Sequence, residues 1–403
     1  KYSLRRTKID TKIKKILARV ETVIPENELK KKLKKKKQLR VKLGIDPTAP
    51  DIHLGFAVVL RKLRDFQKLG HKAVLVVGDF TAMIGDPSGR SKTRPSLSEN
   101  DIKENMENYE KQIFMILDKK NTEIRHNSKW LAKLTSSEIV KLASGITMAK
   151  MLERDDFSKR FKEEQPIALH EFLYPIFQAY DSVMVEADIE LGGTDQHWNH
   201  LLGRDMQRSF GQEPQVVMLM PILEGLDGVR KMSKSYGNYV GVAESPKEQF
   251  GKIMSIPDSL ILRYFKLCLD YDENSIETVE NRLKAGENPM EIKMELAEKI
   301  VSLYRNTKEG EKAKEEFIKV FSKNKAPEDI RELKVNKGEK IWIVEMLEKA
   351  GFVESRGEAR RLIKNGALKI NGRKITDSTL NVSFDKETVI RVGKLRFVKI
   401  IPE

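Results

Sequence analysis

Residues 41–79 have the sequence VKLGIDPTAPDIHLGFAVVLRKLRDFQKLGHKAVLVVGD, and this stretch decides the fold of the first half of the chain. It begins with Val41–Ile45, a short apolar run ending at an Asp-Pro pair, which predicts a buried strand. A helical pattern then extends from about His53 to Leu69 and ends at a glycine. Ala73–Asp79 is a continuous apolar run, which is typical of a strand inside a parallel sheet. Strand, helix and strand in this order predict a right-handed βαβ unit.

The same alternation continues along the chain. A helix that Ser98 can cap is predicted to reach about Leu117, and another is predicted for Glu171–Glu186. Two more apolar runs, Asp188–Gly192 and Val216–Met220, predict buried strands with a helix between them. This alternation predicts an α/β domain of the doubly wound, parallel type, which we assign to residues 1–240.

The second half of the chain has a different character. Helical patterns dominate residues 241–325, so we predict a small helical domain there, and the many charges of residues 326–340 predict a linker. In residues 341–403, a capping box at Ser355–Glu358 opens a further helix. Asn371-Gly372 lies between two short strand-like runs, which is a strong hairpin signal. This last segment is therefore predicted to be a compact α+β domain.

Composition excludes several classes of protein. Of the 403 residues, 39% are hydrophobic, which is enough apolar content to exclude wholesale disorder. Because no apolar run approaches about 18 residues and the first residues are strongly charged, we expect neither a membrane-spanning nor a secreted protein. Cys268 is the single cysteine, and the six histidines are scattered. We therefore expect a cytoplasmic protein without disulfides and without a tightly bound metal.

The net charge of +15 is concentrated at the two ends of the chain. Residues 1–40 contain 16 basic and 4 acidic side chains, and residues 341–403 have an excess of about five basic side chains. Two basic ends suggest a polyanionic partner, because neutralising phosphates releases counterions. The alternative, for Lys30–Lys37, is that the lysines are a solvated helix face.

Two short segments have the residues expected of a phosphate-binding site. Asp51–Phe56 (DIHLGF) opens the first helix, where free N–H groups and the helix dipole favour phosphate. His53 can donate to a phosphate oxygen, and Gly55 allows a planar group to approach the backbone. Lys231–Ser235 (KMSKS) lies between glycines, and its lysines and hydroxyls suit a mobile clamp on polyphosphate. The alternatives are a helix-capping histidine and an ordinary surface loop.

Two further segments suit a ligand that has an amine. Gly85–Arg90 (GDPSGR) follows a predicted strand, beyond whose carboxyl end ligands bind in open α/β sheets. Tyr174, Gln178 and Asp181 share one helix face. Burying these polar groups in a core costs free energy unless they have hydrogen-bond partners. A ligand with an amine and a hydroxyl would provide such partners. The alternatives are an Asp-Pro turn and a solvent-facing stripe.

Together these motifs identify a family resemblance. HLGF resembles the HIGH motif, and KMSKS is the second motif, of class I aminoacyl-tRNA synthetases. GDPSGR, Gln178-x-x-Asp181 and Gly192–Gln196 (GGTDQ) resemble the bacterial type of tyrosyl-tRNA synthetase, and residues 341–403 resemble an S4 RNA-binding domain. The resemblance covers residues 40–400 in consistent order. It implies a Rossmann-like catalytic domain, a helical anticodon-side domain and an S4 tail.

The resemblance also implies roles for individual side chains. Those expected to bind tyrosine are Asp86, Tyr174 and Gln178 at the ammonium, Asp181 at the phenolic hydroxyl, and Lys42 and Asn127. Those expected to act on the phosphates are Thr48, His53, Arg90, Arg94, Lys231 and Lys234. The ATP site would also include Asp46, Gly55, Gly193, Asp195, Gln196, Met232, Ser233 and Ser235. Those expected to bind RNA are Arg356, Arg360, Arg361, Lys364, Lys369, Arg373 and Lys374.

The implied reaction has two steps. The carboxylate of tyrosine attacks the α-phosphate of ATP in line, while the protein stabilises the charge that grows on the phosphates. Mg²⁺ is expected to accompany ATP. The adenylate is then attacked by the terminal ribose hydroxyl of tRNA(Tyr), and the resemblance implies a homodimer that does not bind membranes.

Two positions depart from the family pattern. Phe56 stands where the second histidine of the first motif belongs, and it cannot donate a hydrogen bond. Lys42 stands where many relatives have a tyrosine that contacts the phenolic hydroxyl.

Two alternative functions remain open. One is a tryptophan-specific relative, since an indole N–H could also donate to Asp181, but that relative lacks the S4 appendage. The other is a catalytically weakened or silent RNA-binding paralogue, for which Phe56 is the main argument. The intact KMSKS and GGTDQ motifs argue against silence, because an RNA-binding protein does not need them.

Overall fold

The structure is a computed structural model that describes residues 13–46, 51–85, 108–322, 331–353, 355–393 and 396–403. The chain forms two compact units, residues 1–307 and residues 308–403. Among the described residues, no helix combines the length and the apolar character that crossing a membrane requires.

The first unit is built on a six-stranded sheet with the strand order β1-β6-β5-β2-β3-β4. Its strands are β1 (Thr22–Ile24), β2 (Arg40–Ile45), β3 (Lys72–Val77), β4 (Thr122–His126), β5 (Ile189–Gly193) and β6 (Val216–Met220). The five strands from β6 to β4 are parallel. The chain reverses its direction of winding between β2 and β5, and ligands bind at such a switch point in doubly wound sheets. The predicted α/β class is confirmed.

Two strands of this sheet, β1 and β4, were not predicted, and β1 is the shorter of them. Thr22–Ile24 pairs antiparallel with β6 at the edge of the sheet. Three residues within a basic segment are too short to show an alternating pattern, and only the pairing with β6 makes them a strand. Antiparallel edge strands on otherwise parallel sheets are common.

The lysine run is only partly a solvated helix face. Its first six residues lie in helix α1 (Glu26–Lys35), where Leu29 and Lys32 are buried, and Lys36 directly follows the helix. The ammonium of Lys32 lies 3.7 Å from Asp188, and that of Lys36 lies 2.5 Å from the same carboxylate. Two of these lysines therefore attach the helix to the sheet, while their neighbours face solvent.

Helices surround the sheet in the first unit. After α1 they are α2 (Leu54–Lys68), α3 (Ser128–Leu131), α4 (Ser136–Ser144), α5 (Met148–Met151), α6 (Asp155–Lys162), α7 (Leu173–Met184), α8 (His197–Ser209), α9 (Pro246–Met254), α10 (Ile261–Cys268), α11 (Glu273–Lys284) and α12 (Pro289–Tyr304). The predicted helices around α2 and α7 are confirmed, each with its ends shifted by one or two residues. From α9 onward this unit contains only helices, as predicted.

The core of the first unit connects the sheet to the site. Val74 and Val76 of β3 pack with Trp130 and Phe177 in one apolar cluster. On α2, most apolar residues from Leu54 to Phe66 are buried and form one broad face, and the helix packs against β3 and β5. Both helices that carry candidate site residues, α2 and α7, are thus held by buried apolar surface rather than by loops.

The second unit is β-rich. Helix α13 (Thr307–Ser322) lies at the division between the units, and α14 (Ile343–Lys349) and α15 (Arg356–Lys364) follow it. A five-stranded sheet has the order β10-β9-β12-β13-β7, and β11 pairs with β8. The strands are β7 (Glu332–Val335), β8 (Lys340–Trp342), β9 (Leu368–Ile370), β10 (Arg373–Ile375), β11 (Asn381–Ser383), β12 (Thr388–Val392) and β13 (Arg396–Pro402).

The second unit confirms one prediction and corrects another. Asn371 and Gly372 form the turn of the β9–β10 hairpin with φ angles of 47° and 81°, a left-handed conformation that this residue pair tolerates well. The linker predicted for residues 326–340 is wrong for β7, which pairs in parallel with β13. Its charged and apolar residues alternate over only four positions, which is a weak strand signal within a charged segment, and its partner lies more than 60 residues later in the chain.

Candidate functional site

The site lies at the carboxyl ends of β2 and β5. Asp46 directly follows β2, and its carboxylate accepts a hydrogen bond of 2.6 Å from the hydroxyl of Tyr174 on α7. Gly193 ends β5, and a Cβ added there would lie 2.6 Å from Oδ1 of Asp195. The aspartate can therefore fold back over the strand end only because this position is glycine. The strand ends and α7 thus bring residues predicted to bind tyrosine and residues predicted to bind ATP to one crevice.

Asp181 is the buried acid of this crevice, with 4% of its surface exposed. Its two oxygens accept hydrogen bonds from Nε1 of Trp130 at 2.9 Å and from Nδ2 of Asn127 at 3.2 Å. Burial raises the pKa of Asp181 to about 7, although the charge of Lys42 and these two hydrogen bonds oppose the rise. Each carboxylate oxygen retains a lone pair, so Asp181 can accept a further hydrogen bond from a ligand hydroxyl.

Lys42 is fully buried beside Asp181, and its ammonium is saturated by protein groups. Nζ lies 2.7 Å from Oε1 of Glu190, and it donates to Oγ of Ser182 at 2.7 Å and to the carbonyl of Gln178 at 3.1 Å. An ammonium has three N–H donors. The expected direct contact between Lys42 and a ligand would therefore require it to give up one of these partners.

Glu190 is the anion that compensates Lys42. Burial alone would raise the pKa of Glu190, but His200, Lys42 and the hydrogen bonds from Lys42 and Gln215 outweigh it and lower the pKa. The carboxylate of Glu190 is thus ionised in the core, next to α7. Glu190 and Lys42 are register partners on adjacent strands.

Three side-chain amides form a second cluster in the crevice. Nδ2 of Asn199, on α8, donates to Oε1 of Gln178 at 2.9 Å and to Oε1 of Gln196 at 3.0 Å. Nε2 of Gln178 lies 3.5 Å from the same oxygen of Gln196. Gln178 and Gln196 were predicted as site residues, and Asn199 was not.

His53 caps helix α2. Its Nδ1 accepts a hydrogen bond of 3.2 Å from the backbone N–H of Phe56, so the proton of the neutral ring is on Nε2, which can donate. Burial lowers the pKa of His53 to about 4, with smaller contributions from Lys234 and Lys231. The ring is therefore a neutral hydrogen-bond donor at physiological pH.

The two sequence motifs meet at Gly55. Its backbone N–H donates to Sδ of Met232 at 3.3 Å, and a Cβ added there would lie 3.1 Å from the His53 ring and 3.3 Å from Cβ of Met232. A Cβ at this position would be closer to both side chains than ordinary packing allows, so glycine suits this contact. HLGF and KMSKS, which are 175 residues apart in the chain, form one surface.

Both lysines of the KMSKS segment have partners. Nζ of Lys231 lies 2.9 Å from Oδ2 of Asp195. Nζ of Lys234 donates to the hydroxyl of Tyr109 at 3.1 Å and lies 5.0 Å from the centre of its ring. Ser233 is fixed through its backbone N–H, which donates to Asn238 at 2.9 Å, and Ser235 is exposed. The segment is thus folded over the crevice.

Four predicted site residues, Thr48, Asp86, Arg90 and Arg94, lie outside the described residues. Sequence reasoning missed four others that the structure brings to the site: Tyr109, Trp130, Glu190 and Asn199. Trp130 could have been suspected from its chemistry alone, because a buried indole N–H usually needs an acceptor. In the described part of the chain, no group of three or more His, Cys, Asp and Glu side chains could hold a metal ion.

The basic residues predicted to bind RNA all lie in the second unit. The guanidinium of Arg360 lies 5.3 Å and that of Arg356 lies 5.9 Å from the ring centre of Trp342. Lys374 folds over Gly366 at the end of α15. The other candidates are Arg361 and Lys364, exposed on α15, Lys369, half-buried on β9, and Arg373, exposed on β10. They form one basic region around α15 and the hairpin.

Comparison with known proteins gives consistent matches over the chain. Residues 34–322 match the family model described as tRNA synthetases class I (W and Y). Residues 322–400 match the model of the tyrosine–tRNA ligase SYY-like C-terminal domain. The tyrosine–tRNA ligase of Carboxydothermus hydrogenoformans is 51% identical over 394 residues, covering 95% of this chain and 96% of the relative. That of Thermotoga maritima is 51% identical and covers 96% of both chains.

Solved structures show the same fold. The tyrosyl-tRNA synthetase of Archaeoglobus fulgidus, complexed with L-tyrosine, matches with a TM-score of 0.63 and 25% identity, over 76% of this chain and 99% of that one. A C-terminally truncated mitochondrial tyrosyl-tRNA synthetase of Aspergillus nidulans matches with a TM-score of 0.64 and 20% identity, over 76% and 93% of the two chains.

Proposed function

This chain belongs to the class I tRNA synthetases for tryptophan and tyrosine, and within them to the tyrosine–tRNA ligases, and from that membership we propose how its side chains act. The enzyme activates L-tyrosine with ATP to tyrosyl-adenylate and pyrophosphate, and then transfers tyrosine to the 3′-terminal ribose of tRNA(Tyr). The observation that carries the choice of tyrosine is Asp181, a buried carboxylate whose oxygens each keep a lone pair beside the hydrogen bonds from Trp130 and Asn127.

Asp181 is proposed to accept the phenolic hydroxyl of tyrosine. Phenylalanine would bury the remaining lone pairs of Asp181 without a further donor, and a hydrogen bond to a charged group contributes about 1.5–3 kcal/mol. Gln178 and Tyr174 face the same crevice and are proposed to receive the ammonium, together with Asp86. Because Trp130 and Asn127 hold both oxygens of Asp181, the carboxylate keeps its orientation before the substrate arrives.

The phosphates are proposed to bind between the two motifs. Neutral His53 can donate through Nε2, and the N-terminus of α2 adds free N–H groups and a positive dipole. Lys231 and Lys234 would exchange their present partners, Asp195 and Tyr109, for phosphate oxygens. The tyrosine carboxylate then attacks the α-phosphate in line, without a covalent intermediate on the protein. Mg²⁺ is proposed to enter with ATP, bound to its phosphates.

Pyrophosphate exchange tests the function. The enzyme is expected to exchange label between pyrophosphate and ATP with tyrosine, but not with phenylalanine or tryptophan. Asp181→Asn is expected to lower kcat/KM for tyrosine by about 10–150-fold, because a hydrogen bond to a charged group contributes about 1.5–3 kcal/mol. Exchange with tryptophan would indicate the tryptophan-specific alternative, and absence of any exchange would favour the silent RNA-binding paralogue.

The same assay has an expected pH dependence. The pKa of Asp181 is raised to about 7, so the carboxylate that accepts the phenol is mostly ionised at pH 8 and mostly protonated at pH 6. We expect kcat/KM for tyrosine to fall by about tenfold between these values, following the ionised fraction. In Asp181→Asn this fall should disappear, and an equally steep fall in that variant would assign the titration to another group.

The second unit is proposed to bind tRNA through its basic region. Arg360 and Lys364 are four residues apart on α15 and face the same way; this spacing suits the backbone of a folded RNA. Arg360→Ala combined with Lys364→Ala is expected to leave tyrosine activation unchanged, to weaken tRNA binding and to reduce its salt dependence. Filter binding between about 50 and 200 mM salt measures both effects, and an unchanged affinity would refute the assignment.

We also propose that the enzyme is a homodimer and works in the cytoplasm. Four large apolar side chains of residues 136–172 are strongly exposed, Val140 (68%), Met148 (56%), Phe161 (63%) and Leu169 (81%). Exposed apolar side chains concentrated in one segment are typical of an interface, and a second copy is the proposed partner. The single cysteine, Cys268, is buried and unpaired, which fits a reducing compartment.

We retain the four segments predicted from the sequence as the proposed functional division, with catalysis in residues 1–240 and RNA binding in residues 341–403. The boundary of the linker moves earlier, because β7 belongs to the second sheet.

A further inference from the structure

The hydrogen bonds of the amide cluster run in one direction, and the three amides alone do not determine which direction that is. Asn199, Gln178 and Gln196 each have a donor end and an acceptor end of almost the same shape. If all three amides turned over, Asn199 would accept from both glutamines instead of donating to them. That reversed arrangement satisfies the same hydrogen bonds within the cluster. A group outside the cluster is needed to select the observed direction.

Arg154 is that group. Its Nη1 donates to Oδ1 of Asn199 at 3.1 Å. A guanidinium has five N–H donors and no acceptor, so Asn199 can present only its oxygen to Arg154. Its Nδ2 must then point to Gln178 and Gln196, as observed.

Arg154 is itself held rigidly. Only 4% of its surface is exposed. Nε donates to Oδ1 of Asp156 at 2.7 Å and Nη2 to Oδ2 at 3.3 Å, and the guanidinium lies 4.9 Å from the ring centre of Phe157. A two-point ion pair and a ring contact fix the plane of the guanidinium, so the direction of its donor to Asn199 is fixed too.

The direction decides what the site offers to an ammonium group. In the observed arrangement, Gln178 has its carbonyl oxygen at the cluster, where Asn199 uses one lone pair and a second remains. In the reversed arrangement the NH₂ of Gln178 would take the place of its oxygen, and its N–H donors would face the N–H donors of the ligand ammonium. Only the first arrangement can accept a hydrogen bond from a ligand cation at that position.

We propose that Arg154 is a positioning residue of the tyrosine site, which fixes the amide of Asn199 and, through it, the amide of Gln178 that receives the substrate ammonium. The inference deepens the proposed function and rests on it. Arg154 lies at the start of α6 and acts through Asn199.

The test compares two ligands that differ only in the ammonium. L-tyrosine and 3-(4-hydroxyphenyl)propionate share the phenol and the carboxylate, and their dissociation constants are measured by equilibrium dialysis. In Arg154→Met, tyrosine is expected to bind about ten- to hundredfold more weakly, the range for one hydrogen bond to a charged group. The affinity for the ammonium-free analogue is expected to be unchanged. If Arg154 positions the amides, its loss weakens the binding of tyrosine alone, whereas a distorted pocket weakens the binding of both ligands.

Arg160→Met is the matched control. Arg160 is also a buried arginine of α6 in an ion pair, but its guanidinium bonds Glu171 at 2.5 Å and 2.9 Å instead. This variant is expected to bind both ligands in the same ratio as the unaltered enzyme. A similar selective loss of tyrosine there would overturn the assignment to Arg154.

Asn199→Asp provides a second, independent test if Arg154→Met does not fold. The substitution keeps an acceptor for Arg154 but removes the N–H donor to Gln178, so the same selective loss of tyrosine is expected. Equal weakening of both ligands, or unchanged tyrosine affinity, would overturn the inference. Failure of the unaltered enzyme to bind tyrosine would overturn the proposed function as well, and it is distinguishable because it requires no substitution.

Discussion

Lys42→Met is expected to lower the free energy of unfolding by about 3–5 kcal/mol, because it leaves the buried carboxylate of Glu190 without its ion partner. Both side chains of the pair are almost fully buried, with exposed fractions of 1% and 2%. Methionine has a similar length and fills the same space, so little of the loss should come from a cavity. Urea unfolding measures the change.

A double variant shows whether the lower stability comes from the unpaired charge of Glu190 or from the removal of the lysine side chain. In Lys42→Met combined with Glu190→Gln, no charge remains to be compensated, while the glutamine oxygen can still accept from Ser182 and Gln215. The double variant is expected to recover most of the stability, since replacing both members of a buried ion pair is often nearly neutral.

Lys72→Met is the matched control. Lys72 lies on β3, and its ammonium reaches the surface, so a change within about 0.5 kcal/mol is expected. Equal losses in the single and the double variant would contradict the ion-pair explanation.

The Lys42 pair also illustrates what the sequence could and could not reveal. The strand VKLGI was predicted from its apolar residues, and within it a lysine is conspicuous. Its partner Glu190 lies in another predicted strand, in register with Lys42. Register between strands 148 residues apart is fixed by the packing of helices and by the sheet order, and neither is contained in a local pattern. The strand could therefore be predicted, and the ion pair could not.

The same limit explains the outcome for the rest of the fold and site. Elements with strong local periodicity, such as α2 and β6, were predicted within one or two residues. β1 and β7 are strands only through partners that are distant in the chain. Motif residues such as His53 and Lys231 were recognised because their chemistry is concentrated in a few positions. Trp130 and Asn199 belong to no sequence motif and lie on other helices, α3 and α8. Only folding brings them next to Asp181 and Gln178.

Phe56→His is expected to increase the rate of tyrosyl-adenylate formation, by up to the factor of about 10²–10³ that one transition-state hydrogen-bond donor typically contributes. Phe56 lies in the first turn of α2, three residues after His53, and is half-buried. Its backbone N–H is used by His53, and its side chain offers no donor. In this segment only the His53 ring can therefore donate to a phosphate from a side chain. An imidazole at position 56 would add a second donor at the same helix N-terminus, where the dipole already favours the growing negative charge.

Single-turnover formation of tyrosyl-adenylate at saturating ATP and tyrosine measures this effect separately from substrate binding. Phe56→Leu is the matched control, because it removes the ring without adding a donor and is expected to leave the rate unchanged. An added donor should act only in the transition state, so kcat should rise while the dissociation constant of ATP stays the same. A rise in both variants would mean that the phenyl ring obstructs the site. An unchanged rate in Phe56→His would mean that a donor at this position does not reach the reacting phosphate, and that His53 and the two KMSKS lysines stabilise its charge without it.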